Sequence, residues 1–168
     1  MSNREELIQK AHDLGFAYEK EYRGCGQCTI AALQDTFGLE GREMFQSASA
    51  FAGGVNRCGD SGCGAYLGGA MFLASLRGRD RESFADRAKA GEAMAVAKKL
   101  HDRFIDEYGS VNCHPIHQKI MGRPFYIADP DEMRKFDEAG AHTAKCTEVV
   151  GKACAWIAEI ALDEGLIK

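Results

Sequence analysis

Seven cysteines stand in a chain of 168 residues, and four of them fall in two close pairs, Cys25-Gly-Gln-Cys28 and Cys58-Gly-Asp-Ser-Gly-Cys63. A C-x-x-C pair lets two thiolates meet one metal, one cluster or each other. An odd number of cysteines cannot close fully into disulfides, and in a reducing compartment short spacings signal ligation or catalysis more often than structural bridges. The first pair is expected to open a helix, since Thr29 to Phe37 carries Ile30, Leu33 and Phe37 on one face and runs into Gly38. At a helix start the macrodipole and free N–H groups favour thiolate over thiol, which makes Cys25 and Cys28 expected nucleophiles and ligands. The second pair belongs to the glycine-rich loop Gly53 to Gly62, where positive φ can turn N–H groups inward toward cluster sulfurs. Cys113 and Cys146, each taken alone, read as small buried hydrophobes. Cys154 reads as packing. His114 and His117, beside Cys113, are candidates for ligation or proton supply.

Three chemistries suit this set. The first is an iron–sulfur cluster held by four or more of Cys25, Cys28, Cys58, Cys63, Cys113 and Cys146, for electron transfer or redox sensing; a cluster shares thiolate charge that would be costly to bury unpaired. The second is a thiol–disulfide oxidoreductase in which Cys25 or Cys63 attacks and a neighbour resolves. The third is a non-enzymatic protein stapled by zinc or another metal. Thr29 follows Cys28, so the C-x-x-C-H of c-type haem attachment is missing. Neither ferredoxin nor zinc-ribbon spacing occurs, and the segment Gly53 to Gly69 lacks the Lys-Ser/Thr of a phosphate loop.

The elements that must position these residues read as helices. Ser2 and Glu5 form a capping box, and Leu7, Ala11, Leu14 and Tyr18 follow at helical spacing, which predicts a helix from about Asn3 to Lys20. A shorter helix is expected over Arg42 to Phe51. Gly64 to Leu76 is apolar on all sides, the pattern of a buried central helix, and Gly64, Gly68 and Gly69 allow another backbone or a cofactor to come close. A long helix is expected from about Asp80 to Tyr108, a short one from Cys113 to Gly122, another capped at Asp129-Pro130, and a last one carrying Cys146, Val150, Ala153, Ile157 and Ile160. No segment alternates with period 2. The fold class is therefore all-α, a single domain over 1–168, with about six or seven helices bundled around a glycine-rich centre.

With 25 acidic and 21 basic residues, a net charge of −4 and no basic stripe, nucleic acid is not an expected partner. Met1 to Lys10 lacks a secretory apolar stretch, and the longest apolar run, Ala65 to Leu76, falls short of the roughly 20 residues that span a bilayer. A cytoplasmic protein without a membrane span is expected. It would act with a redox partner protein, and its buried glycines are compatible with a homodimer.

The order of these residues resembles the redox-active proteins named C_GCAxxG_C_C for their four cysteines. Cys25-Gly-Gln-Cys-Thr-Ile-Ala-Ala-Leu is similar to the first element and Cys63-Gly64-Ala65-Tyr66-Leu67-Gly68 to the CGAxxG core. Phe104 to Cys113 is similar to the third element, and Cys146-Thr-Glu-Val-Val with Ala153 and Ala158 to the fourth. The likeness spans nearly the whole chain. It implies a site of Cys25, Cys63, Cys113 and Cys146, shaped as a cofactor pocket by Gly64, Ala65 and Gly68, with Cys28, Cys58 and Cys154 as additions. Split-Soret cytochromes look like relatives that carry haem-binding motifs, which this sequence lacks. The resemblance implies redox character and names no substrate.

Overall fold

The computed structural model describes residues 2–167. Eight α-helices follow in chain order: α1 (Asn3–Glu21), α2 (Cys25–Phe37), α3 (Arg42–Ser47), α4 (Gly64–Arg77), α5 (Arg87–Tyr108), α6 (Cys113–Met121), α7 (Pro130–Glu138) and α8 (Cys146–Asp163). A 3-10 turn (Ala48–Phe51) extends α3, and a π-helical turn (Ala141–Lys145) leads into α8. Among the described residues no strand forms and no helix is long and apolar enough to cross a membrane. The all-α expectation holds.

Local chemistry accounts for most boundaries. The Ser2–Glu5 capping box forms, with the Glu5 N–H donating to Ser2 Oγ and the Ser2 N–H to Glu5 Oε2. The Asp129 carboxylate accepts from the N–H groups of Asp131 and Glu132 at the head of α7, with Pro130 in the first turn. The long helix begins at Arg87 rather than near Asp80. Asp80 and Ser83 bond one another's backbone N–H groups into a separate turn, and Asp86 caps α5 by accepting from the Lys89 N–H.

α4 lies at the centre, against α2, α5 and α8, and its Phe72 and Leu73 are fully enclosed. Glycines set how closely it is approached. A Cβ on Gly68 would stand 2.8 Å from the Gly26 carbonyl oxygen, and one on Gly26 would stand 2.8 Å from the Ala48 carbonyl oxygen. Only bare backbone allows the cysteine-bearing start of α2 to lie that close to the start of α4. A second, smaller apolar group, Phe125, Ile127, Phe136 and Ala141, gathers beside the main core with Cys146 packed on it.

Candidate functional site

Cys25, Cys63, Cys113 and Cys146 come from four separate elements and line one cavity of about 290 Å³. Cys25 is the first residue of α2, and Cys63 immediately precedes α4. Cys113 opens α6, and Cys146 opens α8. Each thiol is carried where a helix begins, so four chain entries point at one space.

Two pieces of irregular backbone fix this convergence. Gly62 and Asn112 form an isolated antiparallel bridge, in which the Cys63 N–H donates to the Val111 carbonyl (2.8 Å) and the Cys113 N–H to the Ser61 carbonyl (2.9 Å). The bridge ties two cysteine-bearing loops together across fifty positions of sequence. The other piece is a left-handed turn: Gly53, Gly54, Val55, Asn56 and Arg57 all have φ between 53° and 72°. Val55, being β-branched, and Arg57 pay steric strain there that surrounding structure must over-determine, whereas Asn tolerates this region more readily. The turn runs along the cavity wall, and the Gly53 N–H at its start lowers the Cys25 pKa.

The electrostatics overturn one expectation. Cys25 and Cys28 do sit in the first turn of a helix, yet neither is an activated thiolate. A hydrogen bond with the Cys63 thiol, then burial, holds Cys25 well above its ordinary pKa, with the Gly53 N–H pulling only partly back. Burial and the neighbouring Glu19 raise Cys28. Burial lifts Cys113 to about 12 and raises Cys146 strongly. Withdrawal from water outweighs the helix dipole, which is worth at most about 2 kcal/mol. These are protonated thiols in the metal-free protein.

Three cysteines stay outside the cavity. Cys28 turns away toward the groove of Tyr18, Tyr22 and Phe45, its thiol donating to the Arg23 carbonyl at 3.2 Å. Cys58 is exposed at the end of the left-handed turn. Cys154 is fully enclosed, against Gly15 of α1, and packs as expected. Gly64, Ala65 and Gly68 do not line the cavity either; Gly64 and Gly68 meet the backbone of α2, and Ala65 lies in the core. Their effect on the site runs through the α2–α4 approach that places Cys25 beside Cys63.

Of the two histidines near Cys113, only His117 enters the cavity wall. Its Nε2 lies 3.3 Å from Cys113 Sγ, and its Nδ1 has no partner among the described residues. Burial, then His114, lowers its pKa to about 4, so the ring is neutral near pH 7. His114 Nε2 lies 3.0 Å from the Phe125 carbonyl and braces the loop after α6.

The cavity also holds residues that spacing alone did not single out: Glu19, Arg23, Arg57 and His142. Glu19 had a signal, for Ala11, Gly15 and Glu19 recur every four residues as the buried stripe of α1. A charge on an apolar stripe is the anomaly to look for. His142 had none, because the π turn that presents it leaves no pattern in composition.

The donor set is soft and sulfur-rich, as iron–sulfur clusters require. A single tetrahedral zinc draws its sulfurs to about 2.3 Å from one point. Among the described residues no three His, Cys, Asp or Glu side chains are gathered in that way. The four thiols stand around the wall of a larger space.

A family model described as Putative redox-active protein (C_GCAxxG_C_C) matches residues 24–160. No curated protein and no solved structure matches the chain.

Proposed function

Because the chain belongs to the C_GCAxxG_C_C family of redox-active proteins, we propose that Cys25, Cys63, Cys113 and Cys146 hold an iron–sulfur cluster for electron transfer or redox sensing. The observation that carries this reading is the cavity of about 290 Å³ ringed by those four thiols. A bound cluster supplies one-electron chemistry to a redox partner protein. The chain supplies the rest: four sulfurs from four elements, the Gly53 backbone, which favours negative charge at Cys25, and apolar wall residues Ile116, Ile127 and Val149. Ligation must displace thiol protons, so loading should strengthen as pH rises.

The test is the iron and acid-labile sulfide content of anaerobically purified protein, followed by electron paramagnetic resonance. Both elements are expected, with Cys→Ser at 25, 63, 113 or 146 each lowering them and Cys→Ser at 28, 58 or 154 leaving them in place. Protein that lacks iron and sulfide when isolated, and again after reconstitution, would overturn the reading.

The placement of Cys25 and Cys63 on one cavity, with the Cys63 thiol as the first cause of the raised Cys25 pKa, favours a second reading. Together these thiols can give two electrons and two protons to an external disulfide, forming a Cys25–Cys63 bond while the acceptor becomes a dithiol. Mass measurement after alkylation under reducing and oxidising buffers distinguishes it: loss of two alkylation sites, mapped to 25 and 63 in metal-free protein, supports the pair.

A further inference from the structure

The cysteine cavity has a second set of groups with a definite order. Glu19 lines the cavity, is 3 % exposed, and has no hydrogen-bond partner for Oε2 among the described residues. Its other oxygen, Oε1, is 3.8 Å from His142 Nε2. The opposite ring nitrogen, Nδ1, is 2.5 Å from Asp137 Oδ1. Asp137 in turn reaches the surface, where Arg23 Nη1 lies 3.2 Å from its second oxygen. Carboxylate, imidazole and carboxylate thus run from solvent to the wall of the cysteine cavity.

The placement is costly for the fold. A buried carboxylate without a full partner set destabilises the folded state, and an apolar side chain at position 19 would extend the Ala11–Gly15 stripe. Imidazole is suited to the middle position, since one nitrogen can take up a proton as the other releases one. The step from Glu19 to His142 is too long for a hydrogen bond. A small side-chain rotation or one bridging water closes it. His142 is held for this by the π turn, a feature frequently found at functional sites.

We propose that Asp137, His142 and Glu19 form a proton path from solvent to the cysteine cavity, so that electron arrival at its sulfurs is matched by proton uptake at Glu19. The coupling rests on the redox reading above. One electron comes from an external one-electron donor and one proton from solvent; the Glu19 carboxylate becomes a carboxylic acid, and reoxidation returns both. Charge in the cavity then stays constant, which a low-dielectric site favours. Glu19 is faced by Arg23, by Cys25 and Cys28 of α2, and by Cys146 and Cys154 of α8; His142 is faced by Asp137, Arg23 and Arg57. Burial raises the Glu19 carboxyl to about 7, within reach of both forms near neutrality. The thiol beside it is Cys28, which lies outside the four-cysteine set.

The experiment is redox-difference infrared spectroscopy on the full chain, purified without oxygen and poised with mediators and dithionite. Reduction is expected to raise a protonated-carboxyl band that moves in heavy water, vanishes in Glu19→Gln and shifts in Glu19→Asp. The midpoint potential should fall as pH rises past the Glu19 pKa of about 7, approaching a tenfold change in equilibrium constant per pH unit, about 59 mV for one electron, and Glu19→Gln should flatten that slope. His142→Phe should keep the slope and slow proton uptake. A band or slope unchanged in Glu19→Gln overturns the path, and circular dichroism of both Glu19 variants guards against misfolding. If no reversible electron uptake exists, the redox reading fails separately. The path then stands if acidification alone titrates a Glu19 band whose deuterium exchange is slowed by His142→Phe, and falls if it does not.

Discussion

Glu19 and the cavity thiols share one physical condition, removal from water, and it acts on both in the same direction. For Glu19, burial raises the folded carboxyl from an ordinary 4.5 to about 7. Between those values the folded protein binds the proton more tightly than the unfolded chain does. The stabilisation from this group is therefore complete below about pH 4.5 and is lost as pH rises through about 7, a loss on the order of 3 kcal/mol. Glu19→Gln should remove that dependence. Urea unfolding at pH 5 and pH 8 should show the variant gaining on the parent chain at the higher pH, and a difference independent of pH would refute the assignment.

At the level of helices, the start of α2 is held against α4 and the 3-10 turn by glycine backbone. Adding a Cβ at Gly26 places it 2.8 Å from the Ala48 carbonyl oxygen and 2.9 Å from Phe51 Cβ. Gly26→Ala should cost about 1–3 kcal/mol in denaturant unfolding, since the crowded atoms are a backbone carbonyl and a Cβ fixed to its backbone. Gly91, inside α5, has open space around it. There the same substitution should stabilise by about 0.5–1 kcal/mol through helix propensity. Equal effects at the two positions would mean that the α2–α4 approach does not control stability. Cys25 travels with the start of α2, so Gly26→Ala should also weaken whatever the cavity binds.

Across the whole molecule, one cysteine, Cys58, is exposed; Cys25 and Cys146 are half-buried and the other four are buried. Native metal-free protein treated with iodoacetamide should take up one label quickly, at Cys58, and the remainder only on the timescale of opening or unfolding. Peptide mapping that found Cys113 or Cys154 labelled as fast as Cys58 would contradict their burial. Cys58, adjacent in sequence to the site, is no part of it, since it stands exposed at the end of the left-handed turn.

The helices were legible from local chemistry, because the Ser2–Glu5 capping box, Asp129-Pro130 and Gly38 act within one or two turns of chain. The family cysteines were legible too, as an ordered pattern whose four members meet at one cavity. Spacing alone could not separate Cys25 from Cys28, three residues apart, or Cys63 from Cys58; only the family resemblance favoured Cys25 and Cys63. In the fold that choice depends on helix phase and on backbone of positive φ from Gly53 to Arg57, which includes Val55, a β-branched type that rarely adopts it. The thiol acidity was also decided by the fold: the helix-start effect is local and small, whereas desolvation depends on everything packed around the sulfur. Glu19, His142 and Asp137 come together across more than a hundred residues through the α1–α8 packing and the π turn, and no short-range pattern in the chain encodes such a meeting.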